Sequence, residues 1–219
     1  MRIFCDFDGT ISIGDVTDQI LARFAEPAWE TIEADWIAGR ITAAECMRAQ
    51  IGLIRASDGD LEDALDALEL DPGFPEFAHW CERRGLSLTI VSDGVDFFIR
   101  RLLSRHGLGR LPVISNQMAG SQRGRTLQQP WLRNGCAAGS GVCKCEVVTA
   151  PTSSPDATLV FVGDGRSDFC VSGRADILFA KSALADYAHA RGQPYHLFAT
   201  FDDVRQRLAM ILDERAIAV

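Results

Sequence analysis

The chain has 219 residues, 47% of them hydrophobic, enough apolar material for one substantial core or a core with a small insert. Its formal net charge of -8 argues against a general nucleic-acid binder, which needs a basic face, yet it permits an anionic small substrate held by a local cation. Arg2 and Asp6 break the apolar N-terminal run, so no secretory signal is read; no stretch is long enough for a membrane span, and seven cysteines in that setting read as reduced cytoplasmic thiols.

In chain order, residues 2–5 predict a first strand that ends on Asp6 and Asp8, with Gly9 and Thr10 following. From about 15 to 72 no strand pattern is present. The spacing there predicts helices over 16–24, 28–38, 43–55 and 61–68, with Ser57 and Asp60 as capping oxygens before the last. A helix over 75–84 closes on Gly85, and a strand over 86–91 runs into Ser92, Asp93 and Gly94. A helix over 97–105 closes on Gly107, and a strand over 112–115 follows. Residues 116–141 read as a hairpin and loop excursion, after which Lys144 opens an apolar helical segment. A strand over 158–162 leads into GDGRSD, which carries Asp164 and Asp168. The rest alternates: helix 167–173, strand 177–180, helix 183–191, strand 195–198 and helix 201–214. Near-continuous apolar strands between amphipathic helices predict an α/β fold, a Rossmann-like doubly wound parallel sheet. The helical block after the first strand reads as a cap over 15–72, leaving 1–14 and 73–219 as the core.

Ligands of open α/β sheets bind beyond the carboxyl ends of the strands. Three strand ends there carry polar clusters: Asp6 with Asp8, Ser92, and Asp164 with Asp168. Carboxylates gathered this closely repel one another unless a cation is present, and hard oxygen ligands suit Mg²⁺. One carboxylate can attack phosphorus, and a second, two residues on, can protonate the leaving oxygen and later activate water. Ser92, the backbone N–H groups of the glycine-rich turns and Lys144 would supply donors and charge for a phosphoryl group.

The set DFDGT, VSDG, Lys144 and GDGRSD resembles the four motifs of the haloacid dehalogenase superfamily of phosphatases, and their spacing covers the whole chain. The helical insert resembles the small cap of its phosphoserine-phosphatase-like branch. The resemblance implies Asp6 as nucleophile, Asp8 as general acid and base, and a bound Mg²⁺. It places the Asp6 side chain, the Asp8 carbonyl and Asp164 on the metal, with Asp168 behind it. Ser92, Asp93 and Gly94 would hold the phosphoryl group together with Lys144, and Thr10 would brace the loop. Asp93 departs from the usual Gly: its N–H can serve, but its carboxylate must face away.

Segments such as GTISIGDVTDQILARFAEPAWE, CMRAQIGLI, VSDGVDFFIRRLL and CKC narrow the resemblance to the methionine-salvage phosphatases, which act on a hydroxy-keto-methylthiopentenyl phosphate. Asp15 falls where phosphoserine phosphatases carry a substrate-gripping Glu. Gln50 lies near the place of their carboxylate-binding Arg. The alternatives are a phosphoserine or phospho-amino-alcohol phosphatase, or a non-catalytic regulator binding a phosphorylated ligand. In each case the partner is a small phosphorylated metabolite, without nucleic acid or membrane, and the chain is a monomer or homodimer. Cys136, Cys143 and Cys145 read as reduced thiols, with a soft-metal site open if a distant ligand completes it. The four histidines read as structural or exposed, and one cap aromatic is expected to touch substrate.

Overall fold

The computed structural model describes residues 1–151 and 157–217. β1 (Arg2–Cys5) is followed by α1 (Val16–Phe24), α2 (Ala28–Ile37), α3 (Ala43–Ile51) and α4 (Asp58–Leu65). Next come α5 (Phe74–Arg83), β2 (Ser87–Val95), α6 (Asp96–Arg105), β3 (Val113–Ser121) and β4 (Gly124–Gln128). Then α7 (Lys144–Thr149), β5 (Leu159–Gly163), a 3₁₀ turn (Arg166–Asp168), α8 (Phe169–Ser172) and β6 (Ile177–Ala180) lead to α9 (Ser182–Ala190), β7 (His196–Leu197) and α10 (Phe201–Ile217). No helix among the described residues is long and apolar enough to cross a membrane.

The seven strands form one sheet in the order β4-β3-β2-β1-β5-β6-β7, parallel except for the β3–β4 hairpin. The chain lays β2 to β4 on one side of β1, then returns to place β5 to β7 on the other. The topological switch therefore falls between β1 and β5. Register aligns Cys5 with both Ile90 and Val162, so Asp6, Ser92 and Asp164 leave the sheet at nearly the same level. Side chains of β1 alternate between two apolar clusters. Ile3 and Cys5 pack with α5, α6 and α10 on one face, and Phe4 packs with Val148, Val171 and Leu184 on the other. Burial on both faces explains why the strands read as unbroken apolar runs.

The helical insert is tied to the sheet at its base. Ser12 bridges Leu70, with Ile13 N–H donating to the Glu69 carbonyl (3.0 Å) and Asp71 N–H to the Ile11 carbonyl (2.8 Å). Val16, Ile20 and Leu21 of α1 and Leu61 and Leu65 of α4 belong to the same apolar cluster as Ile3 and Cys5. Reciprocal caps fix two starts: Thr42 with Glu45 for α3, and Ser57 with Asp60 for α4. Asp60 thus lies inside α4, which begins three residues before the expected position because Ser57 and Asp60 act as a pair. β2 runs four residues beyond its expected end, through the Ser92–Gly94 stretch, with a register shift against β3 between Val91 and Val95. β3 extends to Ser121 and pairs with β4, the hairpin expected for this region. Gly120 at its end (φ +87) would place a Cβ 2.2 Å from the Gly124 carbonyl oxygen, so only glycine fits that turn.

Candidate active site

Asp6 continues β1 into a tight loop. The Phe7 carbonyl accepts the N–H groups of Thr10, Ile11 and Ser12 at 3.2, 2.8 and 2.9 Å, folding the chain back on itself. Phe7 is buried in the core, so its neighbours Asp6 and Asp8 are carried to the crevice side. Gly9 adopts φ +71, and a Cβ there would lie 2.5 Å from Asp164 Oδ2, which explains the glycine on both counts. Asp6 Oδ1 accepts the Phe7 N–H (2.8 Å) and the Lys144 ammonium (2.7 Å). Its Oδ2 has no hydrogen-bond partner among the described residues. Asp8 Oδ1 accepts the Val16 N–H at 2.9 Å, linking the loop to the start of α1, while Oδ2 lies 3.5 Å from Ser92 Oγ.

At the end of β2, Ser92 Oγ accepts the Gly94 N–H at 2.9 Å. A Cβ on Gly94 would stand 2.4 Å from Asp8 Oδ2, so the two loops touch with no side chain between them. The Asp93 carboxylate is turned aside: Oδ1 accepts from Asn116 Nδ2 (3.1 Å) and from the Val142 N–H (3.0 Å). Its pKa is raised by burial, against the pull of Asn116 and Lys144.

Lys144, the first residue of α7, is 1% exposed, and its three ammonium hydrogens match three oxygens. These are Asp6 Oδ1 (2.7 Å), Asp168 Oδ1 (2.7 Å) and Ser167 Oγ (3.0 Å). Burial opposes its charge, but Asp168 and Asp6 outweigh that and hold its pKa above the ordinary lysine value. Asp168 is fully buried; its Oδ2 accepts the N–H groups of Asp164 (3.1 Å) and Gly165 (3.2 Å). Asp164 Oδ1 accepts the Thr10 hydroxyl at 2.7 Å. Thr10 is buried outside the cavity wall and acts on the site through this bond.

Carboxylate oxygens of Asp6, Asp164 and Asp168 lie within 4.8 Å of one another. Asp8 keeps its carboxylate outside that cluster. Burial, then the neighbouring Asp168, pushes the Asp6 carboxyl well above the usual range despite Lys144. Burial and then Asp15 do the same for Asp8.

These groups open onto a cavity of about 560 Å³. Asp6, Asp8, Asp93 and Asp164 line its floor with Ser92 and Gly94. The helical insert supplies the opposite wall, including the expected Asp15 and Gln50 and three groups the sequence reading did not single out: Asp18, Glu33 and Met47. Asp15 caps α1 through the Asp18 N–H (2.9 Å), and Gln50 Nε2 donates to Glu33 Oε2 (2.8 Å). Burial, then Asp15 and Glu33, pushes Asp18 up to about 6. Trp36 is the tryptophan of the helical insert on this wall, and Arg166 stands 5.9 Å from its ring, reaching across from the motif loop. Lys181 was also missed. It follows β6 as the other site residues follow their strands, and its Nζ donates to the Thr10 carbonyl at 3.3 Å.

All seven cysteines are free, and Cys145 Sγ lies 3.0 Å from Cys170 Sγ, a neighbour that the uneven spacing of the cysteines hides.

A family profile described as haloacid dehalogenase-like hydrolase matches residues 3–172. The chain is 34% identical over 219 residues to a 2-hydroxy-3-keto-5-methylthiopentenyl-1-phosphate phosphatase of Geobacillus kaustophilus (strain HTA426), covering 96% of this chain and 97% of that one. It is 31% identical over 217 residues to the protein of the same name from Brevibacillus brevis, covering 97% and 96%. Among solved structures, a phospho-aspartyl intermediate analogue of phosphoserine phosphatase superposes with a TM-score of 0.67 at 20% identity, covering 95% of this chain and 97% of that chain. An apo phosphoserine phosphatase gives 0.67 at 18%. At these identities the structural likeness speaks to the fold.

Proposed function

The chain belongs to the haloacid dehalogenase-like hydrolase family, as a phosphoric monoester hydrolase, and from that premise we propose a substrate and a mechanism. The substrate is the methionine-salvage enol phosphate named for its relatives, cleaved through an aspartyl-phosphate at Asp6 with Mg²⁺ bound. The observation that carries this reading is the convergence of Asp6, Asp8, Ser92 and Asp164 on one cavity from the ends of β1, β2 and β5.

The donor set fits Mg²⁺: three clustered carboxylates offer hard oxygens, and Lys144, paired with Asp6 and Asp168, offsets only part of their charge. The Asp6 and Asp164 side chains and the Asp8 carbonyl would hold the ion, with Asp168 behind them positioning Lys144. When bound, it neutralises phosphoryl charge and draws the carboxylates back toward their ionised forms.

In the first step Asp6 Oδ2 attacks phosphorus while the Asp8 carboxyl gives its proton to the leaving oxygen. Burial raises the Asp8 pKa and so favours the protonated form this step needs. In the second step the Asp8 carboxylate takes a proton from water as the water attacks the aspartyl-phosphate. Inorganic phosphate leaves and the Asp6 carboxylate is restored. The Ser92 hydroxyl, whose oxygen is already oriented by the Gly94 N–H, donates to a phosphoryl oxygen, as does the backbone N–H of Asp93. Lys144 positions Asp6 and adds positive charge beneath it. Residues 15–72 serve as a cap over the 1–14 and 73–219 core, with Asp15 and Gln50 on the substrate side.

A second reading has its own support. Asp15, Asp18 and Glu33 make the cap wall acidic, which favours a leaving group bearing an ammonium, such as a phospho-amino-alcohol. Phosphate release from the methionine-salvage phosphate, phosphoserine, phosphoethanolamine and phosphocholine, with Mg²⁺ and with chelator, separates the two. Chelator-sensitive turnover strongest on the first supports the main reading. Preference for an ammonium compound overturns it in favour of the second.

A further inference from the structure

We propose that Cys145 and Cys170 form an oxidative modification site: a dithiol that closes to a disulfide and shifts the Lys144 helix against the metal-side turn. Their sulfurs are 3.0 Å apart, on the packed helices α7 and α8, and both residues are only half-buried. Cys170 and Cys46 both line the active cavity, and Cys170 is the more exposed of the two, so a small oxidant entering the cavity can reach its thiol. Cys5 and Cys81, by contrast, are buried away from the cavity, and Cys46 is buried in its wall without a second thiol in contact among the described residues.

The oxidant class is a hydroperoxide. The Cys170 sulfur attacks one peroxide oxygen, giving a sulfenic acid; the departing hydroxide takes up the thiol proton and leaves as water. The Cys145 sulfur then displaces the sulfenic oxygen, which leaves as a second water. Two thiols thus give up two electrons to one peroxide.

A disulfide bond is about 2 Å long, so closure draws the two sulfurs together by roughly 1 Å and pulls α7 and α8 toward each other. Lys144 directly precedes Cys145, and Asp168 lies two residues before Cys170. Movement of α7 against the 3₁₀ turn lengthens the 2.7 Å contacts of Lys144 with Asp6 and Asp168. A 1 Å misplacement at a catalytic centre lowers turnover by about 10- to 100-fold.

The test uses the reduced protein, freed of reductant and exposed to hydrogen peroxide. Alkylation and peptide mass mapping read the bond itself, so this arm stands whether or not the proposed substrate is right. Turnover of p-nitrophenyl phosphate reads the consequence. The expected result is a Cys145–Cys170 disulfide, a fall of about 10- to 100-fold in activity reversed by dithiothreitol, and a Cys145→Ser protein that keeps its activity under peroxide. Free, alkylatable Cys145 and Cys170 after oxidation would overturn the proposal. So would a bond between Cys136 and Cys143 instead, equal inactivation of Cys145→Ser, or zinc shielding all four thiols.

Discussion

Replacing Lys144 by Met keeps the length of the side chain and removes its charge. Three contacts disappear, at 2.7 Å to Asp6, 2.7 Å to Asp168 and 3.0 Å to Ser167, all in a site where the side chain is 1% exposed. Two buried carboxylates lose their cation, which costs about 3–5 kcal/mol when one partner of a buried pair is removed. For a chain of this size that corresponds to a fall in Tm of roughly 6–20 °C. The deficit also depends on pH. Without Lys144 the folded-state pKa of Asp6 rises further above the unfolded value. An acid shifted this way is penalised only where it must ionise, so the penalty is full at high pH and fades as pH falls toward about 4. Urea unfolding by tryptophan fluorescence, with chelator present and at pH 8 and pH 5, measures both. A deficit below about 1 kcal/mol at pH 8, or one that does not shrink at pH 5, would refute the buried ion-pair network.

Two further outcomes follow from the same geometry. Gly94→Ala puts a Cβ 2.4 Å from Asp8 Oδ2 and 3.0 Å from Ser92 Oγ. Turnover should fall by about 100-fold in steady-state phosphate release, while the urea midpoint stays nearly that of the parent. Asp18→Asn removes a carboxyl held at about 6 by burial, Asp15 and Glu33. Because that folded pKa lies above the unfolded one, ionisation is penalised above about pH 6 and not below about pH 4. The variant should be more stable at pH 7, by no more than about 1 kcal/mol because the group is open to solvent, and unchanged at pH 4 in parallel melts.

The parallel core was legible because strands buried on both faces leave unbroken apolar runs, and β1 and β6 match their expected bounds residue for residue. The site motifs were legible for the complementary reason: Asp6, Ser92 and Asp164 are abrupt polar residues at apolar strand ends. The four-residue extension of β2 was not, since Ser92, Asp93 and Gly94 carry no strand pattern and are held extended by β3 and Asn116. Lys181 obeys the same strand-end rule as Asp6, yet a lone lysine carries no motif. Glu33, Asp18 and Met47 belong to helices whose apolar spacing says which side packs, not which residues face a cavity. Cys170 meets Cys145 only because α7 and α8 pack side by side, a long-range fact that cysteine spacing does not contain.

The central claim is a covalent phosphoenzyme at Asp6, and trapping it is the most direct measurement. Turnover is quenched during steady state, and the protein is treated with borohydride, which reduces an acyl phosphate to the alcohol. Peptide mapping should find the Asp6 side chain converted to a primary alcohol in the parent with Mg²⁺, and unmodified with chelator. Asp6→Asn should release no phosphate above background. Steady phosphate release with Asp6 unmodified, or an Asp6→Asn protein that still turns over, would contradict the account.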